Sequence, residues 1–476
     1  MSPLPLREDF LRVAPELVWC FAGTLLMFLE PFWKRLRHAS VVLALLGAAL
    51  GTLATAFPAT HSGPAFGGLI VADGFSVFFH GLVGAVACLV ILVSASYLER
   101  EHLPRGEFYA LLLFATAGMG VLAGAQEMLT AFIGLEMSSI ASYVLAGYRR
   151  DCLFSSESAM KYFLLGSFAT AFFLYGIALL YGATGDTHLP QIHADSNSLL
   201  LELGLALVFV GLAFKVAAAP FQVWTPDVYE GAPTPVTALF SAGPKAAAFA
   251  LLLRIFSTVP AAHDFWFWAF WIVAALTMFV GNLGALVQTS VKRMLAYSSI
   301  AHAGYILVAF AARSEIGVAA VLYYLLAYAM MKIGAFTLVG SLSGEGERHL
   351  HLEDYAGLGQ RQPYAAAAMS LYLLSLLGLP ITAGFLGKFY IFKAALNSHL
   401  IWLAVLMAVN SVIAAYYYLR VIVVMYMREG RPDAQIVPIP VAVRFVLVIT
   451  AAAIVYLGLF PNRLMAFVMN PGLLGR

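Results

Sequence analysis

Six ionisable side chains lie inside long apolar stretches of the sequence, where a charge is costly. One is an acid, Glu136, in the run FIGLEMSSIASYVLAGY. The others are bases, each in a different apolar stretch: Lys215, Lys245, His302, Lys332 and Lys388. An ionisable group at bilayer depth costs at least about 2.5–3.5 kcal/mol on insertion scales. Six such groups on six helices therefore indicate a function beyond packing.

The residue types suit the transfer of protons. Burial disfavours the ammonium form of a lysine, whereas a nearby carboxylate favours it. An amine between these two influences can bind and release a proton near neutral pH, which an arginine cannot do. We therefore predict a chain of proton-carrying sites, with Glu136 paired to Lys215. For any one of the six alone, an ion pair that fixes helix register is an equally good interpretation.

The elements that carry these residues are predicted to be membrane-spanning helices. The chain has 476 residues, of which 62% are hydrophobic and only 11% charged, whereas about a quarter of the residues of a soluble domain are charged. About fourteen segments reach the roughly 20 apolar residues that a spanning helix needs. Their centres run from Met27 to Ile454, and the first, starting near Leu11, is expected to be retained because no small-residue cleavage site follows it. The sequence predicts an all-α membrane protein, and its net charge of +2 gives no surplus for nucleic acid.

Basic residues indicate the orientation of the chain. They gather in one set of alternate loops: Lys34, Arg35, Arg37, Arg100, Arg105, Arg149, Arg150, Lys292, Arg293, Arg348, Arg361, Arg428 and Arg431. The opposite loops, such as 57–69 and 182–197, contain no Lys or Arg. Basic loops stay in the cytoplasm. We therefore predict a multi-pass protein of the cell inner membrane with both termini on the periplasmic side.

Prolines interrupt two of the spans that carry mid-span lysines. Pro220 follows Lys215, and Pro380 precedes Lys388. Proline removes a helix hydrogen bond and frees carbonyl groups. The two breaks lie five spans apart, so their helices have opposite orientations, as the repeats of an inverted-repeat transporter do.

The remaining polar residues support weaker predictions. The stretch from Ser341 to Gln362 is expected to be a solvated cytoplasmic loop, although His349 and His351 could contribute to a metal site. Lys161 and Arg254 lie near span ends and are expected to extend to the interface. The separated cysteines Cys20, Cys88 and Cys152 argue against disulfides and iron–sulfur ligation.

Several motifs resemble those of the antiporter-like subunits of respiratory complex I, in particular the subunit N branch. The most specific is WTPDVYEGAPTPV, from Trp224 to Val236, within the longer stretch from Phe214 to Arg254. GPK at Gly243–Lys245, KRMLAYSSIAHAGY at Lys292–Tyr305 and GLPITAGFLGKFYIF at Gly378–Phe392 add to the resemblance. It extends over nearly the whole chain.

The resemblance implies two inverted five-helix repeats, each with a Pro-broken helix. Residues 1–106 would hold helices 1–3, residues 107–257 and 265–428 the two repeats, and residues 436–476 helix 14. Glu136 matches the family's fifth-helix glutamate, Lys215 the lysine of the broken seventh helix, and Lys245 the eighth-helix lysine. Lys388 matches the twelfth-helix lysine that faces the outlet or the next subunit, and His302 a tenth-helix position that bridges the halves. Lys332 departs from the family, which has a neutral polar residue there, so it is either an extra relay site or paired with an unidentified acid.

The resemblance also implies a reaction that belongs to a larger assembly. NADH oxidation and quinone reduction would drive proton pumping, with NADH, FMN, iron–sulfur clusters and quinone in other subunits and no cofactor bound by this chain. Partners would be other membrane-arm subunits and lipids. Three alternatives remain open: a subunit of a multisubunit sodium/proton antiporter, a non-conducting membrane scaffold, and a subunit of a related complex with another electron donor.

Overall fold

The structure is a computed structural model that describes residues 6–32, 39–192, 199–259, 262–430 and 438–469. Four of the basic residues used to predict the orientation lie outside these ranges: Lys34, Arg35, Arg37 and Arg431. Residues 193–197 of one predicted bare loop also lie outside them.

The N-terminal part contains helices and one small hairpin. Its elements are α1 (Arg7–Arg12), α2 (Ala14–Phe32), α3 (Ser40–Leu53), α4 (Ala56–Thr60), β1 (Gly63–Ala65), β2 (Ile70–Ala72) and α5 (Gly74–Arg100). The two strands pair antiparallel, with Gly63 opposite Ala72. This hairpin is a departure from the predicted all-α fold. Asp73 then begins α5 by accepting a hydrogen bond from the Ser76 backbone amide at 2.7 Å, which satisfies a free donor of the first turn.

The middle and C-terminal parts are helical. The middle part contains α6 (Gly106–Gly124), α7 (Met128–Ala146), α8 (Leu153–Thr184), α9 (Leu199–Val216), α10 (Thr225–Gly231) and α11 (Thr234–Thr258). The last part contains α12 (Ala262–Leu286), α13 (Val291–Ala311), α14 (Glu315–Leu342), α15 (Leu358–Arg361), α16 (Pro363–Leu377), α17 (Ala383–Asn397), α18 (Ile401–Met427), α19 (Val441–Leu459) and α20 (Pro461–Val468). Short 3₁₀ turns cover Phe66–Gly68, Leu189–Gln191, Glu345–Glu347 and Leu352–Tyr355.

The prediction of a helical membrane protein is confirmed. Within the described ranges, 12 helices are long and apolar enough to cross a membrane. Each of the predicted span centres lies in a helix, but the first and twelfth lie in the shorter apolar segments Ala14–Leu29 and Pro363–Leu377. The count of fourteen spans therefore stays a prediction.

Three helices form the centre of the bundle and carry three of the predicted site residues. In α11, α13 and α14, 100%, 94% and 83% of the residues in the apolar 18-residue segment are buried, whereas in α8 only 33% are. Lys245, His302 and Lys332 thus lie on the helices with least access to lipid.

Small residues allow close helix approach where lipid supplies no hydrophobic drive. A Cβ on Gly118 of α6, for example, would lie 2.8 Å from the carbonyl oxygen of Gly134 on α7.

Both proline-rich stretches interrupt a helix, as the sequence predicts. The helix α9 ends at Val216, one residue after Lys215, and α10 begins at Thr225. The helix α16 ends at Leu377, Gly378 takes a left-handed conformation with φ of 97°, and α17 begins at Ala383. We call the end of the bundle that carries Arg100, Arg149 and Arg293 the basic end.

Candidate functional site

Lys215 lies in the last turn of α9, and its side chain bonds to neighbouring helices. Its Nζ donates to Ser139 Oγ on α7 at 2.9 Å and to the Tyr162 hydroxyl on α8 at 3.3 Å. Tyr162 stacks on Trp224, with ring centroids 4.5 Å apart. The Trp224 indole donates at 3.0 Å to the carbonyl of Phe214, in the last turn of α9. The helix break thus fixes the surroundings of this lysine.

Glu136, the predicted partner of Lys215, lies near it without touching it. The carboxylate is half-buried and accepts a hydrogen bond from Thr170 Oγ1 on α8 at 2.7 Å. Among the described residues, no acid lies within 4.0 Å of the Lys215 ammonium, so the Glu136 carboxylate acts on Lys215 through its charge and not through a direct ion pair. A small cavity of about 10 Å³, the space of about one water molecule, is lined by Ser139 and Thr170, the respective partners of Lys215 and Glu136, and by Lys215 itself. These polar groups suit ordered water, which can connect the two residues.

Lys245 projects from α11 toward α13. Its Nζ donates to both the carbonyl and the Oγ of Ser299, at 2.9 and 2.6 Å. The hydroxyl of Tyr328 on α14 donates to the same Ser299 Oγ at 2.6 Å. One hydroxyl group therefore connects three central helices.

Lys332 is fully buried and bonds to neutral oxygens. Its Nζ donates to the carbonyl of Leu295 at 2.7 Å and to Ser298 Oγ at 2.6 Å. In the described part of the chain, no carboxylate lies within ion-pair distance of it. The interpretation that Lys332 is paired with an unidentified acid is therefore wrong, because backbone and serine oxygens of α13 satisfy the ammonium.

His302 continues the same hydrogen-bonded chain. Tyr418 on α18 donates to Ser298 Oγ at 2.8 Å, and its oxygen lies 3.1 Å from His302 Nε2. The other ring nitrogen, Nδ1, is 2.5 Å from the Tyr324 hydroxyl on α14. An unbroken series of polar atoms thus leads from Lys332 through Ser298 and Tyr418 to His302 and Tyr324.

Lys388 lies beside the second helix break. Its Nζ donates to the carbonyl of Leu377 at 2.9 Å, at the end of α16, so the break provides the acceptor. The ammonium also lies 4.6 Å from the centre of the Tyr305 ring. Tyr305 contacts the His302 ring edge to face, with centroids 5.5 Å apart. The structure therefore brings Lys332, His302 and Lys388 into one region. We call these three residues and Lys245 the central cluster.

The site around Lys215 is separate from the central cluster in hydrogen bonding. Between the two, the described residues include the aromatic contact of Tyr162 with Phe240 of α11, with centroids 5.5 Å apart. None of the hydrogen bonds formed by the described side chains joins Lys215 to Lys245. The sequence predicts the residues of both groups, but not this separation.

Glu347 is a buried acid that the sequence analysis missed. The stretch from Ser341 to Gln362 is predicted to be solvated, yet the Glu347 side chain is only 4% exposed. Oε2 accepts from Lys292 Nζ at 2.6 Å, and Oε1 accepts from the Tyr97 hydroxyl and from the amide and hydroxyl of Thr234. Burial alone would raise its pKa, but Lys292 and these donors hold the pKa below the ordinary value. Glu347 thus joins the basic ends of α5, α11 and α13, and the prediction of a fully solvated loop is wrong here.

Arg254 does not extend to the interface. Its Nη1 and Nη2 donate to the two carboxylate oxygens of Asp73 at 2.9 and 3.1 Å, and both side chains are buried. Lys161 behaves more as predicted, being 41% exposed and paired with Glu157 and Asp227 at 2.6 Å each.

A second buried pair also escaped the sequence analysis. His80 Nε2 on α5 lies 2.6 Å from Glu16 Oε1 on α2, and both side chains are buried. Glu16 and His80 lie in apolar stretches close to span ends, which gave no mid-span signal.

Among the described residues, no group of three or more His, Cys, Asp and Glu could hold a metal, and His349 contacts Asp354 only at 3.9 Å.

Known proteins are similar to this chain in both sequence and fold. The family described as NADH:quinone oxidoreductase/Mrp antiporter, TM, matches residues 125–414. The chain is 50% identical over 475 residues to NADH-quinone oxidoreductase subunit N 1 of Solibacter usitatus, covering 98% of each. A chain of respiratory complex I from Thermus thermophilus with bound aureothin shares the fold with a TM-score of 0.83 at 38% identity, covering 96% of this chain and 98% of that one. A chain of the archaeal membrane-bound sulfane sulfur reductase matches with a TM-score of 0.85 at 27% identity, covering 98% and 96%. The chain therefore belongs to the subunit N family of the NADH-quinone oxidoreductases, within the larger group of complex I and antiporter membrane subunits.

Proposed function

We propose that this chain translocates protons across the inner membrane as the antiporter-like subunit N of a proton-pumping NADH:quinone oxidoreductase. Its relatives carry that enzyme's name, and the similar Thermus chain belongs to respiratory complex I. NADH, FMN, iron–sulfur clusters and quinone belong to other subunits in this proposal. This chain binds none of them and contributes a route for protons.

The observation that carries the proposal is the hydrogen-bonded chain in the central cluster. Lys332, Ser298, Tyr418 and His302 are linked by contacts of 2.6, 2.8 and 3.1 Å. A hydroxyl group can donate and accept at once, so it can pass a proton between two bases. Hydrophobic residues at these positions would be at least as stable as buried amines. A role in proton transfer accounts for the presence of these energetically costly buried amines.

The proposed route uses all six sites. Glu136 and Lys215 exchange a proton through the cavity lined by Ser139 and Thr170. Lys245, Lys332 and His302 carry charge through the centre, and Lys388 passes it to the outlet or the next subunit. Between Lys215 and Lys245 the proposed coupling is electrostatic or runs through water, because hydrogen bonds of the described side chains do not bridge them.

The architecture of two inverted repeats is part of the proposal. Packing in residues 107–257 corresponds to packing in residues 265–428: α6 contacts α7 and α11, as α12 contacts α13 and α18. Likewise α8 packs on the broken helix α9, as α14 packs on the broken pair α16 and α17. These correspondences support two five-helix units with 1–106 and 436–476 as flanking segments. The proposal also includes fourteen spans and, from the distribution of basic loops, both termini in the periplasm.

Substitution of the lysines in the whole assembly tests the proposal. We expect Lys215→Met and Lys388→Met to lower coupled NADH:quinone turnover by roughly tenfold or more, since positioned acid–base groups contribute about 10²–10⁴-fold. Lys393→Met is the matched control, because Lys393 lies on the same helix as Lys388 but is exposed. The assembly should retain its subunits and thermal stability. Full coupled turnover in both variants would overturn the proposal.

The alternatives predict other results. A scaffold would lose assembly in these variants but keep normal turnover in each complex that forms. Mass spectrometry of subunits that co-purify from native membranes separates the remaining cases. Peripheral flavin and iron–sulfur subunits support complex I, whereas a set of antiporter subunits alone would support the sodium/proton antiporter.

A further inference from the structure

Two asparagines are fully buried between α12 and α18, two helices that carry none of the six proposed proton-carrying residues. Asn282 lies on α12 and Asn410 on α18. Asn282 Nδ2 donates to Asn410 Oδ1 at 3.0 Å. A buried amide is costly unless its polar atoms have partners. The remaining partners of Asn282 therefore show what this amide holds in place.

The Asn282 amide also bonds to two tyrosines. Its Nδ2 donates to the Tyr305 hydroxyl on α13 at 3.2 Å, and its Oδ1 accepts from the Tyr417 hydroxyl on α18 at 2.9 Å. A side-chain amide has two N–H donors and one carbonyl oxygen, so both donors and the oxygen of Asn282 have partners. These bonds fix the orientation of the amide, and the amide in turn fixes the hydroxyl end of Tyr305.

Tyr305 connects this amide to the proposed proton route. Its ring centre lies 4.6 Å from Lys388 Nζ. The same ring contacts the His302 imidazole edge to face, with centroids 5.5 Å apart. The negative face of an aromatic ring attracts an ammonium group, and the attraction is stronger away from water. The position of the Tyr305 ring therefore affects how firmly Lys388 keeps its proton.

The other groups around Lys388 do not replace this contact. The Nζ donates to the carbonyl of Leu377 at the end of α16. The helices α16 and α19, which pack on α17, contain no Asp, Glu, Lys or His. The titratable side chains on the other helices of this region are His302 and Tyr305 of α13, Tyr324 and Lys332 of α14, and Tyr418 of α18. None of these described groups is an acid, so the ring face of Tyr305 is an important source of negative potential for the ammonium.

We propose that Asn282 is a positioning residue for proton transfer at Lys388, because it holds the Tyr305 ring against the Lys388 ammonium and the His302 imidazole. The inference rests on the proposed function, in which Lys388 passes protons onward. By fixing the ring, Asn282 stabilises the protonated form of Lys388. It thereby sets the pH at which Lys388 releases its proton.

A purely structural role for Asn282 would be to join α12 and α18, since amide hydrogen bonds also hold membrane helices together. Asn410 separates the two roles. It shares the bond between the helices, but its own Nδ2 donates to the carbonyl of Leu406 at 2.9 Å. Among the described residues, none of its hydrogen bonds reaches Tyr305. Asn410→Leu therefore removes the link between the helices and leaves the bond from Asn282 to Tyr305.

Coupled turnover of the whole assembly is measured between about pH 6 and pH 10, the range in which histidine and lysine side chains titrate. We expect Asn282→Leu to lower turnover by roughly tenfold, because small displacements of reacting groups are costly. The alkaline limb of its pH profile should move to lower pH by roughly half to one and a half units, since Lys388 loses the cation–π contact. Asn410→Leu should keep the limb in place and turnover within about twofold of the unmodified assembly, as expected when the catalytic geometry is kept.

A second substitution shows whether Asn282 acts through Tyr305. Tyr305→Phe removes the hydroxyl that Asn282 holds and should move the alkaline limb in the same direction. Residues that act through one contact give non-additive effects, so Asn282→Leu should add little to Tyr305→Phe. If Asn282→Leu does not assemble, the limb in Tyr305→Phe decides.

The outcomes separate this inference from the proposed function. An unmoved alkaline limb in Asn282→Leu, or in Tyr305→Phe where Asn282→Leu does not assemble, would overturn the positioning role. So would equal losses in Asn282→Leu and Asn410→Leu, or additive losses in the double variant. Any of these results together with slow turnover in Lys388→Met would overturn the positioning role alone. Full turnover in both Lys215→Met and Lys388→Met would overturn the proposed function itself.

Discussion

Lys332 and His302 are connected by two hydroxyl groups. Ser298 Oγ accepts from Lys332 Nζ at 2.6 Å and from the Tyr418 hydroxyl at 2.8 Å, and the Tyr418 oxygen lies 3.1 Å from His302 Nε2. The four residues come from α13, α14 and α18, so three helices must keep their register for the chain of contacts to exist. The Tyr418 hydroxyl is therefore the link between Ser298 and the His302 ring.

Removal of that hydroxyl should interrupt proton transfer without loss of packing. We expect Tyr418→Phe to lower coupled turnover by roughly tenfold or more, within the range for positioned acid–base groups. The ring remains, so the assembly should keep its melting temperature within a few degrees. Turnover and proton uptake in proteoliposomes measure the effect.

Tyr323→Phe is the matched control for this prediction. Tyr323 is also fully buried, but its hydroxyl donates to the carbonyl of Leu457 at 2.7 Å and not to the central cluster. We expect normal turnover in this variant. Equal loss in the two variants would argue that the tyrosines act through packing.

The hydrogen bond from Thr170 should control exchange between Glu136 and Lys215. Thr170→Val keeps the side-chain shape but removes the donor to Glu136, so we expect coupled turnover to fall by roughly tenfold. Thr184→Val is the control on the same helix, because the Thr184 hydroxyl donates only to oxygens near the end of α8, Leu180 O and Asp186 O. Both variants are measured in the whole assembly. If the Thr170 variant pumps normally, Glu136 reaches Lys215 by another route.

The sequence predicts the helices and the identity of the buried bases, but not their partners. Apolar runs and proline breaks are local signals, and the breaks beside Lys215 and Lys388 are confirmed. The partner of Lys332 is Ser298, which lies 34 residues away. Such contacts depend on how helices rotate against each other, and helices buried on all sides give no periodic pattern that reports this rotation.

For charged residues near the span ends, too, the sequence does not predict the interaction partners. Arg254 has the sequence context of a residue that extends to the interface, but its partner Asp73 lies 181 residues away. Glu347 has the context of a solvated loop, and only the fold places it among Lys292, Thr234 and Tyr97. The sequence context of Arg254 and Glu347 predicts that both side chains are exposed. In the fold, both are buried because they form ion pairs with residues distant in sequence.

The Asp73–Arg254 pair should contribute strongly to stability. We expect Arg254→Leu to lower the free energy of unfolding by about 3–5 kcal/mol, because it leaves the Asp73 carboxylate buried without its cation. Asp73→Asn combined with Arg254→Leu should recover part of this loss. Thermal unfolding of the purified assembly provides the measurement.

A surface pair provides the comparison for this stability effect. Arg150 and Glu107 lie 3.6 Å apart with side chains 79% and 57% exposed. Exposed pairs contribute about 0–1 kcal/mol, so Arg150→Leu should change the melting temperature little. Similar losses for Arg254→Leu and Arg150→Leu would contradict the buried-pair account.

Glu347 should make the stability of the basic end depend on pH. Its pKa lies below the ordinary value of 4.5 in the folded chain, despite burial, because Lys292 and several donors stabilise the carboxylate. A lowered folded-state pKa adds stability that is present above pH 4.5 and lost as pH falls through the folded-state value. Glu347→Gln should therefore unfold at a lower temperature than the unmodified chain at pH 7, and the difference should shrink below about pH 4.5. Glu345→Gln, at an exposed position two residues away, should show no deficit at either pH. A deficit for Glu347→Gln that stays constant down to pH 3.5 would mean that shape, and not charge, makes Glu347 important.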